Sequence, residues 1–307
     1  MKARTRRHSP PGHLRDNATM TPPQPTQRII LLGASNLTRG LSIVVETARL
    51  LLPGQRLDIL AALGHGRAYG LSSRVLVRSL PSILDCGLWH AMPPAPGSGK
   101  RLNSNRATPP VALITDIGND IIYGLPPEEA ARCIGECIDR LQKLDARIII
   151  TQLPIASLRA VPRWRFEVVR ALLYPAHHLS FEDAIAQSEE LNARLCDLAR
   201  EHGIPAIEMD RAWYGLDPIH IQRGRLAEAW AQILSPPEPP PEPPEVAPGM
   251  GADVPPAMPP AVRAAGSLRR WLIVRRAMPE TWRLLGRERR TRQPAARLPD
   301  GTLLSLY

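Results

Sequence analysis

Four short stretches of this chain carry the side-chain types that acyl transfer requires. The run IILLGASNLTRG, residues 29–40, sets Ser35 where four aliphatic residues end and a new apolar run begins. GHGRAYG, residues 64–70, is a glycine-rich turn, and IGNDIIYG, residues 117–124, carries Asn119 and Asp120. WYGLDPIHIQ, residues 213–222, places Asp217 three residues before His220. A hydroxyl nucleophile needs an imidazole to take its proton and a carboxylate to hold that imidazole in one tautomer. N–H donors must also meet the oxyanion that forms on the substrate. Each stretch also has a plainer reading on its own. Ser35 and Asp217 suit helix caps, Asn119-Asp120 suits a turn before a helix, and His220 suits an ordinary helix entry.

Only a scaffold that gathers the four stretches distinguishes these readings. Apolar runs predict strands at 28–33, 57–62, 111–116, 146–152 and 205–209,. Helices are expected at 39–52, about 70–90, 127–143, 182–202 and 224–234,. Strands alternating with helices pair in parallel, so the pattern predicts an α/β protein. It is expected to be doubly wound, a three-layer α/β/α sandwich around a five-stranded, mainly parallel sheet. All four stretches then fall at the carboxyl ends of strands, where open sheets of this kind bind ligands. Two interruptions, 90–110 and 158–178, are rich in proline, glycine, aromatic or basic residues and read as insertions that would shape substrate choice,.

In the order Ser, Gly, Asn, His, residues 28–235 resemble the SGNH (GDSL-type) hydrolase family. The resemblance implies a flavodoxin-like SGNH hydrolase fold, with Ser35 as nucleophile, His220 as general base and then acid, and Asp217 orienting the ring. It implies an oxyanion hole made by the Asn119 side-chain amide and the main-chain N–H groups of Gly66 and Ser35. The reaction implied is cleavage of a carboxylic ester, as by an esterase, acetyl esterase or lysophospholipase, on a small-molecule substrate and without a cofactor or metal. The chain departs from the family pattern in places. Ala34 stands where Gly-Asp-Ser is usual, so the turn loses a carboxylate, and Gly118 directly precedes Asn119 where Gly-x-Asn-Asp is usual. Gly64 and Gly66 both fit the second block, and Gly66 is preferred because it leaves the strand room to finish. The alternatives are a catalytically inactive SGNH-fold binding protein, or a binder of nucleic acid or anionic surfaces acting through an arginine-rich tail.

Composition weighs on that last alternative. The net charge of +10 over 307 residues suggests polyanion binding,. The excess, however, lies in the two ends, and residues 29–235 are nearly neutral. Lysine is almost absent, with Lys2, Lys100 and Lys143 as its whole complement, so the arginines reflect a general bias as much as phosphate recognition. Residues 1–27 read as a disordered basic tail in which Met20 is a plausible start. The stretch 236–262, with Pro at nearly every second position, reads as an extended linker,. Residues 263–307 form an arginine-rich extension whose tryptophans and apolar finish, LPDGTLLSLY, predict that it docks on the domain. Cys86, Cys133, Cys137 and Cys196 show no metal-ligand spacing, and the histidines at 65, 90, 177, 178, 202 and 220 are scattered,. Free thiols and the lack of a membrane-length apolar run or signal sequence lead to the expectation of a cytoplasmic protein. Oligomeric state has no signature in the sequence.

Overall fold

The computed structural model describes residues 26–92, 108–165, 167, 179–235, 272–274 and 276–307. At its centre lies a sheet in which β1 (Thr26–Leu32) pairs in parallel with β2 (Arg56–Ala62). Two short strands, β3 (Ser73–Val75) and β4 (Arg78–Leu80), stand apart from this sheet. On the other side of β1, the parallel order continues through β5 (Val111–Ile114), β6 (Arg147–Thr151) and β7 (Ala206–Ile207). These strands read as continuous aliphatic runs because both faces are covered; Ile30, Leu31 and Leu32 are all fully buried,.

The two faces carry separate cores. The helix Ser35–Leu51 turns Leu37, Leu41, Val44, Val45 and Ala48 inward and packs beside the helix Leu226–Leu234. Gly40 permits that approach, since a Cβ there would lie 2.1 Å from the Trp230 indole nitrogen. On the opposite face, the helix Pro127–Gln142 buries Cys133, Ile134, Cys137 and Ile138. It packs beside the helix Phe181–Glu201, which buries Leu191, Leu195 and Ala199. Cys133 and Cys137 are thus core residues, and burial pushes both thiols up in pKa,. Three layers result, α/β/α, and the sheet is mainly parallel.

Two expectations are corrected. The sheet has seven strands where five were expected. The added strands come from the C-terminal extension, which also contributes β8 (Thr281–Leu284) and β9 (Arg287–Arg290). β11 (Leu303–Leu306) lies parallel to β2, and β10 (Ala296–Arg297) pairs antiparallel with β11. Without β11, the paired edge of β2 would be an open row of N–H and C=O groups. The second correction is the helix expected over 70–90. There β3 and β4 form a hairpin that joins β8 and β9 in a four-stranded antiparallel sheet, followed by a helix at Leu88–Ala91 only. Ser73 is buried, Arg74 exposed and Val75 half-buried, the period-two alternation of a strand, and Pro81 ends the run after Leu80,.

Residues 1–25 of the N-terminal tail, 93–107 of the first insertion, 166 and 168–178 of the second, the linker 236–262, and 263–271 and 275 of the C-terminal extension lie outside the described residues. No helix among the described residues is long and apolar enough to cross a membrane. Leu304 on β11 is fully buried between β2 and the helical layer. Leu304→Ala is expected to cost about 2–5 kcal/mol, seen in calorimetry as a melting temperature lower by several degrees. An unchanged melting temperature would mean that β11 adds nothing to the sheet's stability.

Candidate active site

Ser35 owes its position to the turn at the end of β1. Gly33 donates its N–H to Ala62 O (3.0 Å), and a Cβ on it would lie 2.8 Å from the Thr115 methyl, so glycine is required for the strand to turn this tightly. Ser35 is the first residue of a 17-residue helix. Its N–H is therefore one of the donors a helix start leaves unpaired, at the positive end of the helix dipole.

The turn is held from beneath by Asp116, which follows β5. Its Oδ2 accepts the N–H groups of Ala34 (3.0 Å) and Leu37 (2.8 Å), and its Oδ1 accepts the side-chain amide of Asn36 (2.8 Å). Asp116 adopts φ +56, a left-handed conformation rare for a non-glycine residue and of the kind tolerated where function demands it,. Burial pushes its pKa up, and the three hydrogen bonds pull the other way. The carboxylate missing at Ala34 is thus replaced by one reaching in from the neighbouring strand. Asn36 carries the link further: it donates to Ile219 O and accepts from Ile221 N–H, both at 2.8 Å. The serine turn and the two residues flanking His220 are therefore tied through one buried amide.

The glycine turn is fixed by a second carboxylate. Asp120 accepts the N–H groups of Tyr69 and Gly70, each at 2.8 Å. The Tyr69 hydroxyl sits between the carbonyls of Leu32 (3.0 Å) and Thr115 (2.7 Å), locking the turn onto the ends of β1 and β5. Gly66 adopts φ +65, and Tyr123 donates to its carbonyl at 2.9 Å, leaving its N–H without a partner among the described residues. Asn119 donates one amide hydrogen to Arg67 O at 2.9 Å and has a second to offer,. Gly64 has another task, because a Cβ there would meet Leu80 at 2.1 Å. Of the two glycines, Gly66 lines the cavity and Gly64 does not.

In the third loop, Asp217 Oδ2 lies 2.7 Å from His220 Nδ1, and its Oδ1 accepts the N–H groups of Ile219 and His220. Partial burial pushes the Asp217 pKa up. The hydrogen bond from the ring and those main-chain amides outweigh it, so the carboxyl sits below its ordinary value. Nδ1 being engaged, Nε2 is the ring nitrogen left for chemistry. His65 at the rim has its pKa lowered by desolvation first and then by the charges of His220, Arg39 and Arg78.

Ser35, Gly66, Asn119, Asp217 and His220 all line one cavity of about 590 Å³. Much of the remaining wall is apolar, including Ile121, Ile122, Leu153, Leu158, Leu179 and Ile185. All five residues singled out in the sequence are thus brought together. Reasoning from sequence missed Asp116, Asn36 and Tyr69 as the groups that hold them. The one signal for Asp116 was a carboxylate directly following a buried strand. No metal-binding cluster of His, Cys, Asp and Glu occurs among the described residues.

Fold and site together define an α/β/α protein whose polar groups converge on an apolar cavity at the carboxyl edge of a parallel sheet. No family model matches the chain, and no curated protein matches its sequence. Among solved structures it is similar to the psychrotrophic esterase EstA from Pseudoalteromonas sp., at 10% identity, covering 67% of this chain and 93% of that one with a TM-score of 0.39. It is similar to TesA at 11% identity, with 68% and 96% coverage and a TM-score of 0.39. It is also similar to AlinE4, an SGNH-hydrolase family esterase, at 15% identity, with 59% and 75% coverage and a TM-score of 0.32.

Proposed function

We propose that this chain is a serine hydrolase of the SGNH type that cleaves a carboxylic ester through an acyl-enzyme on Ser35. The observation that carries the reading is the convergence of Ser35, the hydrogen-bonded His220–Asp217 pair, Asn119 and Gly66 on one cavity. His220 Nε2 takes the Ser35 proton as Oγ attacks the ester carbonyl, while Asp217 holds the ring by Nδ1 and favours the imidazolium that forms. The carbonyl oxygen gains negative charge and is met by the N–H groups of Ser35 and Gly66 and the free amide hydrogen of Asn119. These donors are fixed before the substrate arrives, so little reorganisation opposes the reaction. His220 then protonates the leaving alcohol. Water attacks the acyl-enzyme by the same steps in reverse, releasing the acid and regenerating Ser35. The apolar wall suits the acyl portion of a small-molecule ester.

The direct test is a fluorophosphonate probe, which forms a stable adduct only with an activated serine. A single adduct on Ser35, absent in Ser35→Ala, is expected, together with turnover of p-nitrophenyl or acetyl-sugar esters. Saturable ligand binding without an adduct or turnover would make the chain a binding protein built on the same fold. Asn119→Ala is expected to lower kcat by about 10²–10³, the range for removing one oxyanion donor. A change confined to KM would assign Asn119 to substrate binding instead.

A further inference from the structure

We infer that the paired hairpin turns beside the cavity form a docking surface for an anionic lipid bilayer. Leu76 and Val77 join β3 to β4, and Leu285 and Gly286 join β8 to β9. Because β4 runs antiparallel to β8, both turns lie at the same end of the sheet, and Leu285 N–H donates to Val77 O at 2.8 Å. The tips are apolar and open: Leu76 and Leu285 are each 72% exposed and Val77 48%. Both leucines adopt left-handed backbone, φ +53 and +51, where turns ordinarily select Gly, Asn or Asp,. Two large apolar side chains thus stand on neighbouring turns in positions that suit them neither by solvation nor by conformation, and among the described residues nothing buries them,.

Charge identifies what would bury them. The strand register puts Arg74, Arg283 and Arg290 on one face of the small sheet, all three exposed, with Glu288 opposite Arg283 and ion-paired to Arg290 at 2.7 Å, so that the face keeps a net positive charge. Arg287 and Arg289 lie on the other face, beside Trp282, over which the Arg78 guanidinium stacks at 4.7 Å. Arginines on both faces behind an apolar tip match a bilayer entered tip-first, with leucines among the upper acyl groups and guanidinium groups at the phosphates. Single-stranded nucleic acid would use the arginines but gives two aliphatic tips no apolar phase to enter. The surface also borders the cavity, for Val75 lines it and the Arg74 carbonyl lies 3.5 Å from the Tyr123 hydroxyl that holds Gly66.

The test is co-sedimentation of the full chain with vesicles of non-hydrolysable ether lipids, which separates docking from any ester cleavage. One set is phosphatidylcholine alone and the other contains about one-third phosphatidylglycerol. At least tenfold tighter binding to the anionic set is expected, weakening as salt is raised. In the variant carrying Leu76→Asn and Leu285→Asn, binding should fall at least tenfold while melting temperature and turnover of a soluble ester stay as in the wild type, since asparagine tolerates the left-handed turn. The inference is overturned if the variant binds anionic vesicles as well as wild type does, or if the two vesicle sets bind alike or not at all. It is equally overturned if single-stranded RNA competes fully and binds the variant and wild type equally, which would assign the arginines to nucleic acid.

Discussion

Ser35→Ala and His220→Ala are each expected to lower kcat by about 10⁶, and the double variant is expected to be little worse than either. The reason lies in the proton. Attack by Oγ and transfer to Nε2 belong to one event, so a hydroxyl without its base and a base without its hydroxyl are equally idle. What survives is the rate provided by the oxyanion donors and by binding, which neither substitution touches. Ser35 sits at the open start of a helix and His220 on a loop at the cavity, so neither change removes a core contact and the fold should persist. Steady-state kinetics on one ester, with melting temperatures alongside, decide the matter. Losses that multiply in the double variant would mean that the two residues act in separate steps.

The parts of this arrangement legible in the sequence were those coded locally. Ile29–Leu32 running into Gly33 announces a buried strand that turns sharply, and Asp217-x-x-His220 is short enough for one loop to bring its ends together. The spacing of Cys133 and Cys137 puts both on one face of a helix, and that face is buried. What escaped was coded across the chain. Asn36 earns its place only by touching Ile219 and Ile221, more than 180 positions away in sequence. Asp116 matters because β5 happens to lie beside β1 and brings a carboxylate under a turn whose own carboxylate is missing. No periodicity reports either contact. The misread segment 70–90 failed for a related reason. β3 and β4 gain their remaining strand partner, β8, from the far side of the proline-rich stretch, so a local pattern of three residues was too short to declare itself. Likewise the apolar finish that includes Leu303–Leu306 predicts docking, but its pairing with β2 is a fact of topology alone.

Asp217→Asn is expected to lower kcat by up to about 10⁴ with the fold retained, because an amide can donate to Nδ1 and hold the ring in the tautomer that cannot act as base. Three other carboxylates that follow strands are committed elsewhere. Asp116 is taken up by Ala34, Leu37 and Asn36, Asp120 by the amides of the glycine turn, and Asp210 by the N–H of Ala212 in the 3-10 turn that follows it. The pH profile separates Asp217 from its partner. Its folded pKa is depressed, so its carboxylate persists as pH falls through the ordinary carboxylate range, near 3.9, and is lost only below it,. In Asp217→Asn that carboxylate is gone, so any loss of activity that follows its protonation in the wild type, below the ordinary carboxylate range, should vanish from the profile even as the plateau falls,. Asp116→Asn gives the contrast. It weakens the support of the Ser35 turn without touching the ring, so kcat should fall on the order of 10², the scale of a misplaced reacting atom. If Asp217→Asn kept near-normal activity while Asp116→Asn lost kcat by about 10⁴, the orienting carboxylate would be Asp116, and the short contact between Asp217 and His220 would be a loop closure only.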